Sequence, residues 1–139
     1  MNRKWSGFSA ILVGMSASAI MQTLVATSMP AITRDLGGME FYTWVFSAYM
    51  LASTITIPLF ARLADIFGRR ILYTSGMIFF LLGSALIGSA SSMGWLVACR
   101  ALQGIGAGAV APAGLASIGD LFDENERGKM FGVIGAVQV

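Results

Sequence analysis

An all-α fold, a polytopic bundle of transmembrane helices, is what this sequence predicts, and three observations predict it. Hydrophobic residues make up 56% of the 139 residues and charged residues only 12%, about half the charged share of an ordinary soluble domain, roughly 25%. All the charges but Arg100 fall between apolar runs rather than within them. Four of those runs reach the length of about 20 helical residues needed to cross a hydrocarbon layer of about 30 Å. The bilayer is therefore the expected partner of most of the surface.

The first run covers residues 8–29, follows Arg3 and Lys4, and stops at Pro30, a residue that ends helices. A basic start before an apolar stretch also describes a signal peptide, but this run exceeds a core of about 7–15 residues and lacks a clear small-x-small cleavage site. Residues 31–40 contain Arg34, Asp35, Glu40 and the pair Gly37-Gly38, and read as a loop. The second span, 41–61, opens with Phe41, Tyr42 and Trp44, rings suited to the membrane interface, and holds Pro58 near its far end. The third span is 71–90. A tight turn at Ser91-Ser92-Met93-Gly94 leads to the fourth, 95–118. After a hydrophilic stretch, 120–129, residues 130–139 resemble the start of a fifth span. Ten helical residues at about 1.5 Å each cross half of the hydrocarbon layer, so the chain is expected to be an incomplete N-terminal portion of a larger bundle.

Orientation follows from the basic residues, which collect in short cytoplasmic loops. With the N-terminus inside, Arg3, Lys4, Arg62, Arg69, Arg70, Arg127 and Lys129 are cytoplasmic, against Arg34 alone outside. The same placement explains the net charge of +2 without nucleic acid as a partner. No histidine and a single cysteine, Cys99, exclude disulfides and metal sites built on His or Cys within the chain. No nucleophile or acid/base cluster suggests an enzyme, and no cofactor is expected.

Two constellations carry functional information. Between spans two and three, Asp65 and Arg69 stand four apart, a helical spacing that lets carboxylate and guanidinium meet, and Gly68 permits a tight turn before the pair Arg69-Arg70. A solvated loop obeying the charge rule is the simpler reading. In span four, Arg100, Gly104 and Gly108 recur every four residues, so a charge heads a smooth strip that another helix can approach closely. Arginine at the centre of a span costs about 2.5–3.5 kcal/mol on insertion scales and is therefore paired, functional, or snorkelling to the interface. Gln22, Thr23 and Gln103 are candidates to line a substrate path, because neutral amides and hydroxyls bind ligands without the penalty of a buried charge. Bonding between helices is the competing role. Ala10, Gly14 and Ser18 form a second small strip, read as packing.

Leu63, Ala64, Asp65, Gly68, Arg69 and Arg70 resemble the loop signature of the major facilitator transporters, with Ala61 where the family usually has Gly. Residues 100–109 resemble the arginine and glycine motif of that family's fourth span. Residues 43–52 and 23–30 resemble the second and first spans of its drug:proton antiporters, although Met21 stands where many members carry Asp. The resemblance implies alternating access between two six-span halves and export of drugs or other small molecules driven by protons. It also implies a conformational latch at Asp65, Gly68, Arg69 and Arg70, joined by Asp120, with Arg100 in proton coupling and Gly104 and Gly108 in helix packing. It implies a multi-pass protein of the cell membrane whose remaining spans complete the path. A facilitator for a nutrient or metabolite, and a membrane scaffold or truncation product without transport, are the alternatives that stay open.

The seven-to-one basic asymmetry makes the first prediction. In a Cys99→Ser background, a cysteine placed at Ile66 reacts with an impermeant maleimide only after the cells are permeabilised. Labelling of intact cells overturns the orientation.

Overall fold

A computed structural model describes residues 2–138 and contains, among them, helices and no strand. Helix α1 spans Asn2–Leu36, α2 Tyr42–Phe67, α3 Arg69–Gly88, α4 Met93–Leu121 and α5 Glu124–Gln138, with one 3-10 turn at Met39–Phe41. Four of these helices, all but α5, are long and apolar enough to cross a membrane.

The helix ends differ from those expected, for local reasons. Pro30 lies inside α1 rather than ending it. A proline frees one carbonyl, which a membrane helix tolerates when other groups re-satisfy the backbone. The helix stops instead at Gly37 and Gly38, with φ of 69° and 73°, left-handed conformations that glycine adopts without a Cβ clash. One residue, Gly68, separates α2 from α3, at φ 93° and ψ 142°. Ser92 caps α4 by accepting a hydrogen bond from the Trp95 amide at 3.3 Å, so that helix begins two residues earlier than the apolar run suggested. The hydrophilic stretch after α4 becomes helical from Glu124, ahead of residue 130.

Helix α4 lies at the centre. Half of its apolar window is buried against other helices, compared with 17–28% for the windows of α1, α2 and α3. The remaining large apolar side chains, such as Ile20, Leu24, Ile55, Ile78 and Leu82, point outward, as lipid contact requires. Glycines bring α4 close to both neighbours. A Cβ on Gly104 would sit 2.5 Å from the Tyr49 carbonyl oxygen of α2, and one on Gly108 would strike Thr56 and come within 2.9 Å of the Ser53 carbonyl oxygen. On the α3 side, a Cβ on Gly106 would sit 2.6 Å from the Gly76 carbonyl oxygen and 2.8 Å from Phe80 Cα. Helix α1 is held differently. Near its start Phe8, Ile11 and Met15 pack with Ile118, Phe122 and Ile134, and near its end Val25 and Met29 pack with Val45, Met93 and Leu96.

Backbone is what a side chain at Gly106 would meet, and backbone cannot rotate away. Gly106→Leu is therefore expected to lower unfolding stability in detergent by about 1–3 kcal/mol, the range for overpacking. Gly88→Ala, where an added Cβ has nothing within 4 Å, stays within about 0.5 kcal/mol of the parent. Equal thermal unfolding curves for the two variants would refute this account of the α3–α4 contact.

Candidate functional site

Arg100 of α4 is 1% exposed and each of its nitrogens has an acceptor. Nε donates to the Val45 carbonyl oxygen of α2 at 3.3 Å, Nη1 to Gln103 Oε1 at 2.5 Å, and Nη2 to Gln22 Oε1 of α1 at 2.7 Å. Its Cζ lies 4.2 Å from the centre of the Tyr49 ring, within the range of a cation–π interaction. Gln103 Nε2 in turn donates to Ser84 Oγ of α3 at 2.7 Å. A snorkelling side chain ends in interfacial water; this one ends among acceptors inside the bundle. The position of Gly104 one turn further explains the geometry, since it admits the α2 backbone to within reach of the guanidinium.

A cleft opens beside this cluster, lined by Ser18, Ala19, Gln22, Thr23, Leu24 and Tyr49 among others. Gln22 and Thr23 thus line this cleft, and the Thr23 hydroxyl donates to the Ala19 carbonyl at 3.2 Å. Gln103 does not reach it: the side chain is fully buried and spent on Arg100 and Ser84. Of the two roles open to Gln103, the contacts in the structure are those of a bond between helices. Ser84 and the Val45 carbonyl were invisible to sequence reasoning, because a lone serine in an apolar span and a backbone oxygen carry no pattern.

The charged loop is also rearranged. Gly68 interrupts the helix between Asp65 and Arg69, so their four-residue spacing no longer places them on one face. Asp65 is exposed and makes no ion pair among the described residues. Arg69 instead pairs with Asp120 at the end of α4 and donates to the Ala116 carbonyl oxygen at 2.9 Å. Arg70 is exposed beside it. Arg127 of α5, which sequence reasoning assigned only to topology, donates to the Gly119 and Phe122 carbonyl oxygens at 2.5 and 3.0 Å. A cation on the last carbonyls of a helix complements its dipole.

Four membrane-length helices packed around a buried cation define a polytopic helical membrane protein. Residues 11–139 match the model of the Major Facilitator Superfamily, and the chain belongs to that superfamily. It is 46% identical to the multidrug transporter protein MdtP of Bacillus subtilis over 93% of this chain and 24% of that protein. It is 45% identical to multidrug resistance protein 3 of the same organism over 91% of this chain and 25% of that protein, and 44% identical to the puromycin resistance protein pur8 of Streptomyces alboniger over 97% and 27%. The chain spans about a quarter of the length of these curated relatives.

The two partners in the loop ion pair are unequal. Asp120 is 62% exposed and Arg69 35%, and an ion pair of that exposure contributes about 0–1 kcal/mol. Arg69 also caps a carbonyl. Arg69→Ala should therefore lower the unfolding midpoint more than Asp120→Ala does, measured in the same detergent. Equal shifts would leave the Ala116 contact without energetic weight.

Proposed function

We propose that this chain forms the first helices of a secondary active exporter that moves drugs or other small molecules out of the cell in exchange for protons, by alternating access. The observation that carries the proposal is the buried Arg100, with an acceptor on each of its three nitrogens, beside a cleft walled by Gln22, Thr23 and Tyr49. The names of the relatives support the substrate class. A permanent positive charge next to a path acts electrostatically on any membrane acid in the rest of the protein, because a low-dielectric interior screens it little. The first four spans contain no such acid, so the proton carrier is placed outside this chain.

Asp65, Gly68, Arg69, Arg70 and Asp120 serve in this reading as a conformational latch at the cytoplasmic end. The Arg69–Asp120 pair ties α3 to α4, while exposed Asp65 is available to the positive N-terminus of a helix elsewhere in the transporter. Gly104 and Gly108 keep α2 and α4 together through the cycle. The protein sits in the cell membrane with its N-terminus in the cytoplasm. Because the central path is shared between repeats, residues 1–139 alone do not transport.

The test is flux of a fluorescent cationic dye in proteoliposomes under an imposed pH gradient, using the full-length transporter that carries this segment. Arg100→Ala abolishes gradient-driven flux. Arg100→Lys retains part of it, because one ammonium cannot reach three acceptors in the geometry of a planar guanidinium. Parental flux in both variants would remove Arg100 from coupling, and dye-independent uptake of a nutrient would favour a facilitator.

A further inference from the structure

We infer that Ser84 is a positioning residue for Arg100, acting through the amide of Gln103. The Ser84 hydroxyl donates to the Phe80 carbonyl oxygen of its own helix at 2.9 Å, so its proton is spent and its lone pairs are what it offers to α4. Gln103 Nε2 donates to that oxygen at 2.7 Å. An amide has one donating end and one accepting end. With the NH2 held on Ser84, Oε1 is turned to Arg100 Nη1, at 2.5 Å. Reversed, the amide would set its NH2 against a guanidinium that can only donate.

The reach of Ser84 depends on its neighbour. A Cβ on Gly83 would lie 2.8 Å from the Gln103 backbone nitrogen and 2.9 Å from Gln103 Cβ, so α3 touches α4 at Gln103 itself. The result is a directed chain in which Arg100 donates to Gln103 on one side and Gln103 donates to Ser84 beyond it. On the other side Nη2 is left for Gln22, whose side chain lines the cleft. A hydroxyl on α3, away from the cleft, thereby sets where the cation at the cleft points. The structural inference stands on these contacts; its consequence for transport rests on the exporter reading above.

Two measurements separate those levels. In the chain labelled with 15N-arginine and reconstituted into phosphatidylcholine nanodiscs, the Nη–Hη signals of Arg100, whose Nη1 donates to Gln103, are identified by their loss in Arg100→Lys, and their exchange with solvent is measured. Ser84→Ala is expected to speed that exchange about tenfold, the scale of one hydrogen bond involving a charged group. Ser84→Thr, which keeps the hydroxyl, restores slow exchange. Ser75→Ala removes a hydroxyl of the same helix that donates to the Leu72 carbonyl oxygen at 3.0 Å, and leaves the Arg100 signals unchanged. Parental exchange in Ser84→Ala, or equal acceleration by Ser75→Ala, overturns the inference. In full-length transporter under a pH gradient, Ser84→Ala should reduce flux towards the level of Arg100→Lys, with rescue by Ser84→Thr. Faster exchange in Ser84→Ala, with parental flux there and in Arg100→Ala, supports the positioning and removes the exporter role of Arg100.

Discussion

Helix α4 must touch the backbones of α2 and α3 at the same time, and the rest of the structure depends on that constraint. Between helices in lipid, apolar burial supplies little net drive, so association relies on close packing and polar bonds. Glycines at 104 and 108 meet α2, and Gly106 meets Gly76 on α3. Because the three lie within five residues, both contacts occur in one stretch of helix. Any side chain there would separate the helices by more than a hydrogen bond can span. The Val45 carbonyl, already available as an acceptor with two lone pairs, comes within 3.3 Å of Arg100 only because α2 approaches this far.

The buried guanidinium is consequently stabilised without a counter-ion among the described residues. Its partners are a backbone carbonyl, two amide oxygens and a tyrosine ring, with no carboxylate among them. Charge-assisted bonds are about twice as strong as neutral ones, which offsets part of the cost of keeping the cation out of water. They do not cancel its charge. The cluster therefore remains positive, and its field is felt at the cleft where Gln22 and Tyr49 form the wall. An aspartate or glutamate in the same place would have neutralised that field and left the cleft electrically flat.

Much of the bundle was legible in the sequence because lipid-facing helices announce themselves by composition and length. The four apolar runs, and the four-residue recurrence of Arg100, Gly104 and Gly108, are properties of single helices, and each has a counterpart in the structure. Features that join helices were less legible. The spacing of Asp65 and Arg69 implied a pair only if one helix continued through both, and Gly68 at φ 93° breaks it. The partner Arg69 finds is 51 residues away. Pro30 signalled a stop that the membrane setting relaxes, and the termination passed to Gly37-Gly38. Gln103 could be read as a ligand-binding amide or as a bond between helices because sequence does not tell which neighbour faces it; the close approach at Gly83 brings Ser84 to it.

The manner in which each helix is held also distinguishes what can move. Helices α2, α3 and α4 come closest where glycines of α4 meet the backbones of α2 and α3. Helix α1 is held by side chains: apolar clusters near its two ends, the Tyr73 hydroxyl donating to the Ala10 carbonyl at 2.9 Å, and Arg100 donating to Gln22. Side chains change rotamer, and the apolar clusters can exchange protein for lipid at small cost. The bond between Arg100 and Gln22 is different, because breaking it leaves a buried charge one acceptor short, at about 1.5–3 kcal/mol for a bond to a charged group. That range is about a tenfold to more than hundredfold bias in an equilibrium, enough to hold one arrangement and small enough for a ligand or a proton to reverse. Gln22 thus ties α1 to the buried cation on the wall of the cleft.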